Sequence, residues 1–338
     1  MGKDGALAAT ARGKAGASAA KACGRTQPGV NDAVRNGWRS GYNTGTSAHG
    51  TRSMHGGDAM AIYVMSDIHG HVRALEEVLD LASPGDDDEV YVLGDMVDRG
   101  PAPVDVIRRV RSLPNVHVLM GNHESMLLDV LLDTGEMDSF TWALNGGFAT
   151  ATGLDVLDRD EYAELIDWMR GLPLFAVAET ESRRYILTHA GIDAMEACGY
   201  LAMAGVDTSE GRGAAEATEE QLLDMMSRQL PETLLWTRKE FWGQPTGFVG
   251  KDGTGPVVVV GHTPSIVLSR YADRMANEGV NEDGRGIVVP VGACDATGGV
   301  ADRIDIDCSA AAGAPRGRVG LVRLDDGAAW YGTINEGE

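Results

Sequence analysis

Apolar positions in this chain fall into two alternating patterns. Short dense runs at 61–65, 90–93 and 116–120, the last broken only by His117, have the length and character of strands buried on both faces. Between them, residues 71–82 place Val72, Leu75, Val78, Leu79 and Leu81 at helical spacing, and residues 102–112 do the same with Val104, Ile107 and Val110 before Pro114. Helices are further expected at 124–133, at 136–145 with an end at Asn145-Gly146-Gly147, and at 159–170 ahead of Leu172-Pro173. Strands then return at 185–188 and 257–260, and again at 286–291, 302–307, 318–324 and 328–333. Repeated strand, loop and helix predicts a sheet flanked by helices, with the loops that leave the strands gathered at one edge.

Those loops carry polar clusters. The first run exits into Ser66-Asp67-Ile68-His69-Gly70, the second into Gly94-Asp95-Met96-Val97-Asp98-Arg99-Gly100 and the third into Gly121-Asn122-His123-Glu124. The strands at 185–188 and 257–260 end on His189-Ala190-Gly191 and Gly261-His262-Thr263-Pro264. Side chains two apart on extended backbone point the same way, so Asp67 and His69 can address one ion. A carboxylate at a strand end, such as Asp95, can bridge two cations when neighbouring loops supply more ligands. Ordinary surface or core residues explain any one cluster well, but not five in succession. Glu124 reads as a helix-start carboxylate near the positive end of the dipole, and His71 as an exposed helix-start residue. Trp142, Trp168, Trp236 and Trp242 read as packing residues.

Composition narrows the function classes. The 338 residues are 43% hydrophobic, enough for a sizeable core. A formal charge of −21 argues against a broad nucleic-acid or anionic-membrane surface, so an anionic substrate must be held locally. Residues 1–58 differ from the rest: eight Lys or Arg against three Asp give +5 there and leave −26 for the remainder. With no hydrophobic period, this segment is expected to be a disordered low-complexity leader, with a basic targeting arm or an extension upstream of Met60 as rivals. Cys23, Cys198, Cys294 and Cys308 form no CxxC pair, which disfavours a disulfide framework or a structural zinc site and fits a reducing cytoplasm. No apolar run reaches the roughly 18 residues that span a bilayer. An Ala- and Glu-rich helical insertion is expected at 193–233, and the small-residue loop at 308–317 is expected to be mobile.

Taken together, the five clusters resemble the calcineurin-like metallophosphoesterases, and within them the phosphoprotein-phosphatase branch, whose signatures read GDxHG, GDxVDRG and GNHE. The bacterial and phage-type serine/threonine protein phosphatases are closest in style, over about residues 62–324. Ser66 stands where the family usually has glycine, with no ligand position lost. The resemblance implies an α/β fold for residues 60–338: two mixed β-sheets packed as a sandwich and flanked by helices. It implies that Asp67, His69 and Asp95 hold one divalent metal ion and that Asp95, Asn122, His189 and His262 hold a second. Oxygen and imidazole ligands without thiolate favour manganese, iron or zinc without choosing among them; manganese is the first expectation, with iron or zinc as alternatives. By the same resemblance Arg99 binds the substrate phosphate, with Arg238 as a second clamp and Asn122 contributing. His123 matches the general acid that protonates the leaving oxygen, and Asp98 the residue that orients its imidazole.

The function so implied is phosphomonoester hydrolysis by a metal-activated water, with phosphoserine and phosphothreonine in proteins as the first substrates. Symmetrical bis(5'-nucleosyl)-tetraphosphatases resemble the same branch and are the alternative, along with other nucleotide phosphohydrolases. A silent scaffold that binds phosphorylated partners ranks third. The expected partner is a phosphoprotein or small phosphoester, with no nucleic acid and no membrane. Asn145-Gly146-Gly147 either borders the substrate groove or caps a helix.

Overall fold

The computed structural model describes residues 60–337; the expected leader at 1–58 lies outside the described residues. The chain opens with β1 (Ile62–Met65), α1 (Val72–Ala82), β2 (Glu89–Val92), α2 (Pro103–Arg111), β3 (Val116–Val118) and α3 (Asn122–Leu132). It continues through α4 (Ser139–Trp142), a π-helical turn at Ala143–Gly147, α5 (Phe148–Asp155) and α6 (Arg159–Arg170). Then come β4 (Phe175–Glu179), β5 (Arg184–Thr188), α7 (Ala194–Met203), α8 (Glu219–Ser227), α9 (Pro231–Trp236) and α10 (Lys239–Trp242). The remaining strands are β6 (Val257–Val260), β7 (Val289–Val291), β8 (Arg303–Asp305), β9 (Arg318–Arg323) and β10 (Ala329–Thr333).

These strands make two five-stranded sheets, β10-β9-β1-β2-β3 and β4-β5-β6-β8-β7. Both are mixed. Strands β1, β2 and β3 run parallel, with β9 antiparallel on β1; β5, β6 and β8 run parallel, with β4 and β7 antiparallel at the edges. Ile62, Val64, Tyr91 and Leu93 of the first sheet share one apolar cluster with Ala176, Tyr185, Leu187, Val257 and Val259 of the second. The intervening residues Tyr63, Met65, Val90 and Val92 turn outward into a second cluster with Leu75, Val78 and Ile107 of the covering helices. Every residue of β1 and β6 is therefore buried, which is why both read as unbroken apolar runs. The architecture is the expected α/β sandwich flanked by helices.

The structure corrects several local expectations. Strand β4 was not legible, because Phe175-Ala176-Val177-Ala178-Glu179 interleaves strong strand formers with Ala and Glu; pairing with β5 and burial decide it. The helix expected over 136–145 holds only as α4, and it does not stop at Asn145-Gly146-Gly147. The backbone passes through the π turn, with Gly146 at φ 105°, and resumes as α5. The loop at 308–317 is not a free surface loop: Cys308, Ser309 and Ala310 are buried, and the Arg318 N–H donates to the Cys308 carbonyl at 3.0 Å. His71 is buried at the cap of α1, not exposed. Between β5 and β6, α7 and α8 pack on each other, and α8 packs on the edge strand β4. Among the described residues no helix is long and apolar enough to cross a membrane.

Close packing of α1 on β10 gives a direct test of this arrangement. A Cβ built on Gly332 would lie 1.8 Å from the Ala74 carbonyl oxygen, whereas one on Gly199 in α7 would meet nothing within 4 Å. Gly332→Ala should cost about 1–3 kcal/mol of stability, while Gly199→Ala should be neutral or stabilise by up to about 1 kcal/mol. Denaturant midpoints of the two variants check this, and equal midpoints would contradict the packing.

Candidate metal centre and catalytic site

Five strand ends meet at one edge of the sandwich. Loops after β1, β2 and β3 bring Asp67, His69, Asp95, Asn122 and His123 to the loops after β5 and β6, which carry His189 and His262. The turns are abrupt: Asp67, His69, Asp95, Asp98, Arg99 and His262 have φ values of 51°, 46°, 55°, 68°, 70° and 66°. Each left-handed non-glycine residue costs about 1–3 kcal/mol and persists only where its surroundings hold it. Here the loops hold one another. The N–H groups of Asp67 and His69 donate to the carbonyls of Gly94 and Asp95 at 3.1 and 2.9 Å, and that of Gly261 to His189 at 2.8 Å. Gly94, at φ 92°, lets the second loop touch the third, since a Cβ there would sit 2.2 Å from the Gly121 nitrogen.

Glu124 fastens the second loop to α3. Its fully buried carboxylate accepts backbone N–H groups from Asp95 and Met96 at 2.8 Å, Val97 at 3.2 Å and Gly121 at 3.0 Å. The Gly121 contact is the capping-box bond of α3; the other three extend it into the neighbouring loop.

Two donor sets share Asp95. His69, Asp95 and His123 present ligand atoms within 4.8 Å of one another, and so do Asp95, His189 and His262. Asp67 borders the first set, with Oδ1 3.9 Å from His69 Nε2; its Oδ2 accepts from the Ser66 hydroxyl at 2.5 Å and the His262 N–H at 2.9 Å. Asn122 borders the second, with Oδ1 2.8 Å from both His189 Nε2 and His262 Nδ1.

The lone pairs gathered here fit cations. His69 Nδ1 and His189 Nδ1 donate to the carbonyls of Val97 and Leu93 at 3.0 and 2.8 Å, which leaves a lone pair on each Nε2. His189 Nε2, His262 Nδ1 and Asn122 Oδ1 then face one another at 2.8–3.2 Å with at most one proton among them. If that proton sits on His262 Nδ1, the ring's buried Nε2 is left without a partner. Burial holds His69, His189 and His262 below the ordinary imidazole value, so they stay neutral ligands. Burial, then the Asp67 and Glu124 charges, push Asp95 well above the usual carboxylate range. Converging acceptors short of donors, around a carboxylate short of positive charge, match a pair of divalent ions.

His123 falls near the first set, 4.0 Å from Asp95, yet its partners differ from those of the other imidazoles. Its Nδ1 lies 2.7 Å from Asp98 Oδ2, and its Nε2 lies 3.2 Å from Arg99 Nη2, a cation that opposes a second one there. Asp98 is itself held. Trp142 Nε1 donates to Oδ2 at 3.0 Å, the Thr150 hydroxyl donates to Oδ1 at 2.6 Å, and the Asp98 N–H donates back to Thr150 Oγ1 at 2.9 Å. Burial pushes Asp98 up to about 6, against the pull of Thr150, Trp142 and Arg99. Burial first, then Arg99, keeps His123 well below the ordinary imidazole value.

The Asn145-Gly146-Gly147 segment seats Arg99. The Arg99 N–H donates to the Gly146 carbonyl at 3.0 Å, and a Cβ on Gly146 would lie 2.7 Å from Arg99 Cγ. A Cβ on Gly147 would strike the Trp142 ring at 2.2 Å, so both glycines are required where the π turn crosses the site. Arg238 reaches the opposite side, with Nη2 donating to the His262 carbonyl at 3.1 Å. The candidate ligands, phosphate-binding residues and acid expected from the sequence (Asp67, His69, Asp95, Asp98, Arg99, Asn122, His123, His189, Arg238 and His262) thus lie together. Sequence reasoning missed Trp142 and Thr150 as partners of Asp98 and the three loop contacts of Glu124. The capping-box spacing from Gly121 was the one available signal for Glu124; Thr150 had none.

Two outcomes follow for this arrangement. Trp142→Phe and Thr150→Val each remove a hydrogen bond to a buried carboxylate, worth about 1.5–3 kcal/mol. Each should lower kcat roughly tenfold or more with metal content unchanged, as measured by steady-state kinetics with elemental analysis; rates within about twofold of wild type would detach Asp98 from the chemistry. Metal binding must also expel the proton that the raised Asp95 favours and needs the imidazoles unprotonated. Apparent divalent-metal affinity should therefore rise with pH through the raised Asp95 titration, with proton release seen by calorimetry in buffers of different ionisation enthalpy. An affinity independent of pH would contradict this.

Comparison with known proteins agrees with the geometry. A protein from Erwinia tasmaniensis described as "Bis(5'-nucleosyl)-tetraphosphatase, symmetrical" is 35% identical over 136 residues, 39% of this chain and 45% of its own. A Serratia proteamaculans protein of the same description is 32% identical over 139 residues, covering 39% of this chain and 44% of its own. The matched region thus spans less than half the length of either relative. Among solved structures, a metallophosphoesterase from Sphaerobacter thermophilus is 18% identical with a TM-score of 0.43, over 82% of this chain and 89% of that one. The family model for calcineurin-like phosphoesterases, a group that uses divalent metals, matches residues 60–289. The chain belongs to the calcineurin-like phosphoesterase family.

Proposed function

We propose that this chain hydrolyses phosphate esters and anhydrides at a centre of two divalent ions, and that its substrate is a symmetrical dinucleoside polyphosphate. The observation that carries the chemistry is the convergence of Asp67, His69, Asp95, Asn122, His189 and His262 beside Arg99 and His123. The tetraphosphatase description of the relatives supports the substrate.

In this reading Asp67, His69 and Asp95 hold one ion, and Asp95, Asn122, His189 and His262 the other. Divalent ions held there, manganese foremost, would neutralise charge at the phosphoryl oxygens and acidify a nucleophilic water. Arg99 and Arg238 offer planar, always-charged donors to the equatorial oxygens, where charge grows as the phosphoryl group transfers. Asn122 adds its amide to the same phosphate. His123, in its protonated form, gives the Nε2 proton to the leaving oxygen, while Asp98 accepts from Nδ1 and fixes the ring. A serine/threonine protein phosphatase is the second reading, favoured by the GDxVDRG-like and GNHE clusters at 94–100 and 121–124. The full donor set weighs against a silent scaffold.

Manganese-loaded protein should convert diadenosine tetraphosphate and one water to two molecules of ADP, with kcat/KM above that for a phosphoserine peptide. Dominance of the phosphopeptide would overturn the substrate choice in favour of the second reading. Asp95→Asn should abolish both metal retention and turnover. His123→Ala should keep its metals and lose about 10²- to 10⁴-fold in kcat, more with the phosphopeptide, whose alkoxide needs protonation, than with p-nitrophenyl phosphate. Equal losses on the two substrates would remove His123 as the acid.

A further inference from the structure

Beside the second donor set lies a cleft that the chemistry above leaves unused. Its volume is about 320 Å³, at the lower end of ligand pockets, which run from about 300 to 1,000 Å³. Its walls include Ile192 and Asp193, just past His189-Ala190-Gly191, Glu232 and Trp236 of α9, Thr237 just after it and Glu240 of α10. Trp236 is 42% exposed, unusual for so large an apolar ring. Its edge-on contact with the His262 ring, centroids 6.1 Å apart, sets the cleft one ring's width from the candidate metal centre. Arg238, two residues on, donates to the His262 carbonyl, so clamp and cleft share one short segment.

Charge in the lining decides what fits. Asp193, Glu232 and Glu240 place three carboxylates there, with no lysine, arginine or histidine. A phosphate would be repelled. A flat, neutral ring with N–H donors gains twice, by stacking on the indole and by donating to carboxylates. A phosphate held at the metals and such a ring held here are the two ends of one nucleotide. We infer that this cleft is a nucleobase subsite: Trp236 stacks the base, and Glu232 or Glu240 accepts from its exocyclic amine, selecting amino-bearing bases over uracil. The inference rests on the nucleotide reading proposed above.

Adenosine, which carries no phosphate, should quench tryptophan fluorescence when titrated into the manganese-loaded full chain, and the quench should vanish in Trp236→Phe. Trp236→Ala should lower the ratio of kcat/KM for diadenosine tetraphosphate to that for p-nitrophenyl phosphate by about tenfold. Glu232→Gln, at an exposed position, should shrink the preference for diadenosine over diuridine tetraphosphate by a few-fold. No quench, or a quench that persists in Trp236→Phe, overturns the subsite. So does a loss in Trp236→Ala that is equal for both substrates, because Trp236 would then act only by packing on His262. An adenosine quench at Trp236 in a protein that hydrolyses the phosphopeptide but not diadenosine tetraphosphate supports the subsite and overturns the substrate reading instead.

Discussion

The bonds from four backbone N–H groups to one buried carboxylate hold this site in shape. Glu124 takes them from the loop after β2 and from the start of α3, so the residue that follows β2 cannot move independently of the helix that follows β3. Without that carboxylate, four donors would be buried unsatisfied, a cost of about 1–3 kcal/mol for each group. The left-handed conformations at Asp95, Asp98 and Arg99 need such a restraint, because each is disfavoured on its own. Gly94 and Gly121 complete it by letting the two loops pass in contact.

Within that frame the electrostatics are divided by position. Imidazoles at His69, His189 and His262 are kept neutral by burial, while burial, then repulsion from Asp67 and Glu124, holds Asp95 well above the usual carboxylate range. Lone pairs and carboxylates without cations are what a metal pair resolves. A few ångströms away the logic inverts: Arg99 faces His123, and Asp98 is anchored by Trp142 and Thr150. In the proposed function a substrate phosphate would meet cations there, although the chain as a whole carries −21. Asp193, Glu232 and Glu240 line the cleft beside Trp236, a charge that disfavours phosphate and favours N–H donors in the proposed subsite.

Structural and functional roles overlap in the helical connection from α4 to α5. Its π turn is neither a helix end nor a loop. It lifts the Gly146 carbonyl to Arg99 while Trp142 and Thr150, on either side, bond to Asp98. A π turn within a helical segment at a functional site is a recurrent economy, since it changes the facing of side chains without breaking the connection.

The sequence by itself determined the strand-end clusters and the ligand types they carry. Ligand type, the two-residue spacing of Asp67 and His69, and an apolar run ahead of each cluster are local properties, so they survive without coordinates. It also determined the alternation that makes a helix-flanked sandwich, since burial on both faces leaves an unbroken apolar run in β1 and β6. Tertiary structure alone decided that β4 is a strand, that residues 308–310 are buried, and that His71 faces inward. It alone joined Trp142 and Thr150 to Asp98 across 44 and 52 positions, and set Trp236 against His262 at the mouth of a cleft. The reason is physical: periodicity reports which face of its own element a residue occupies, whereas a hydrogen bond or ring contact between distant segments depends on how two elements are placed in space.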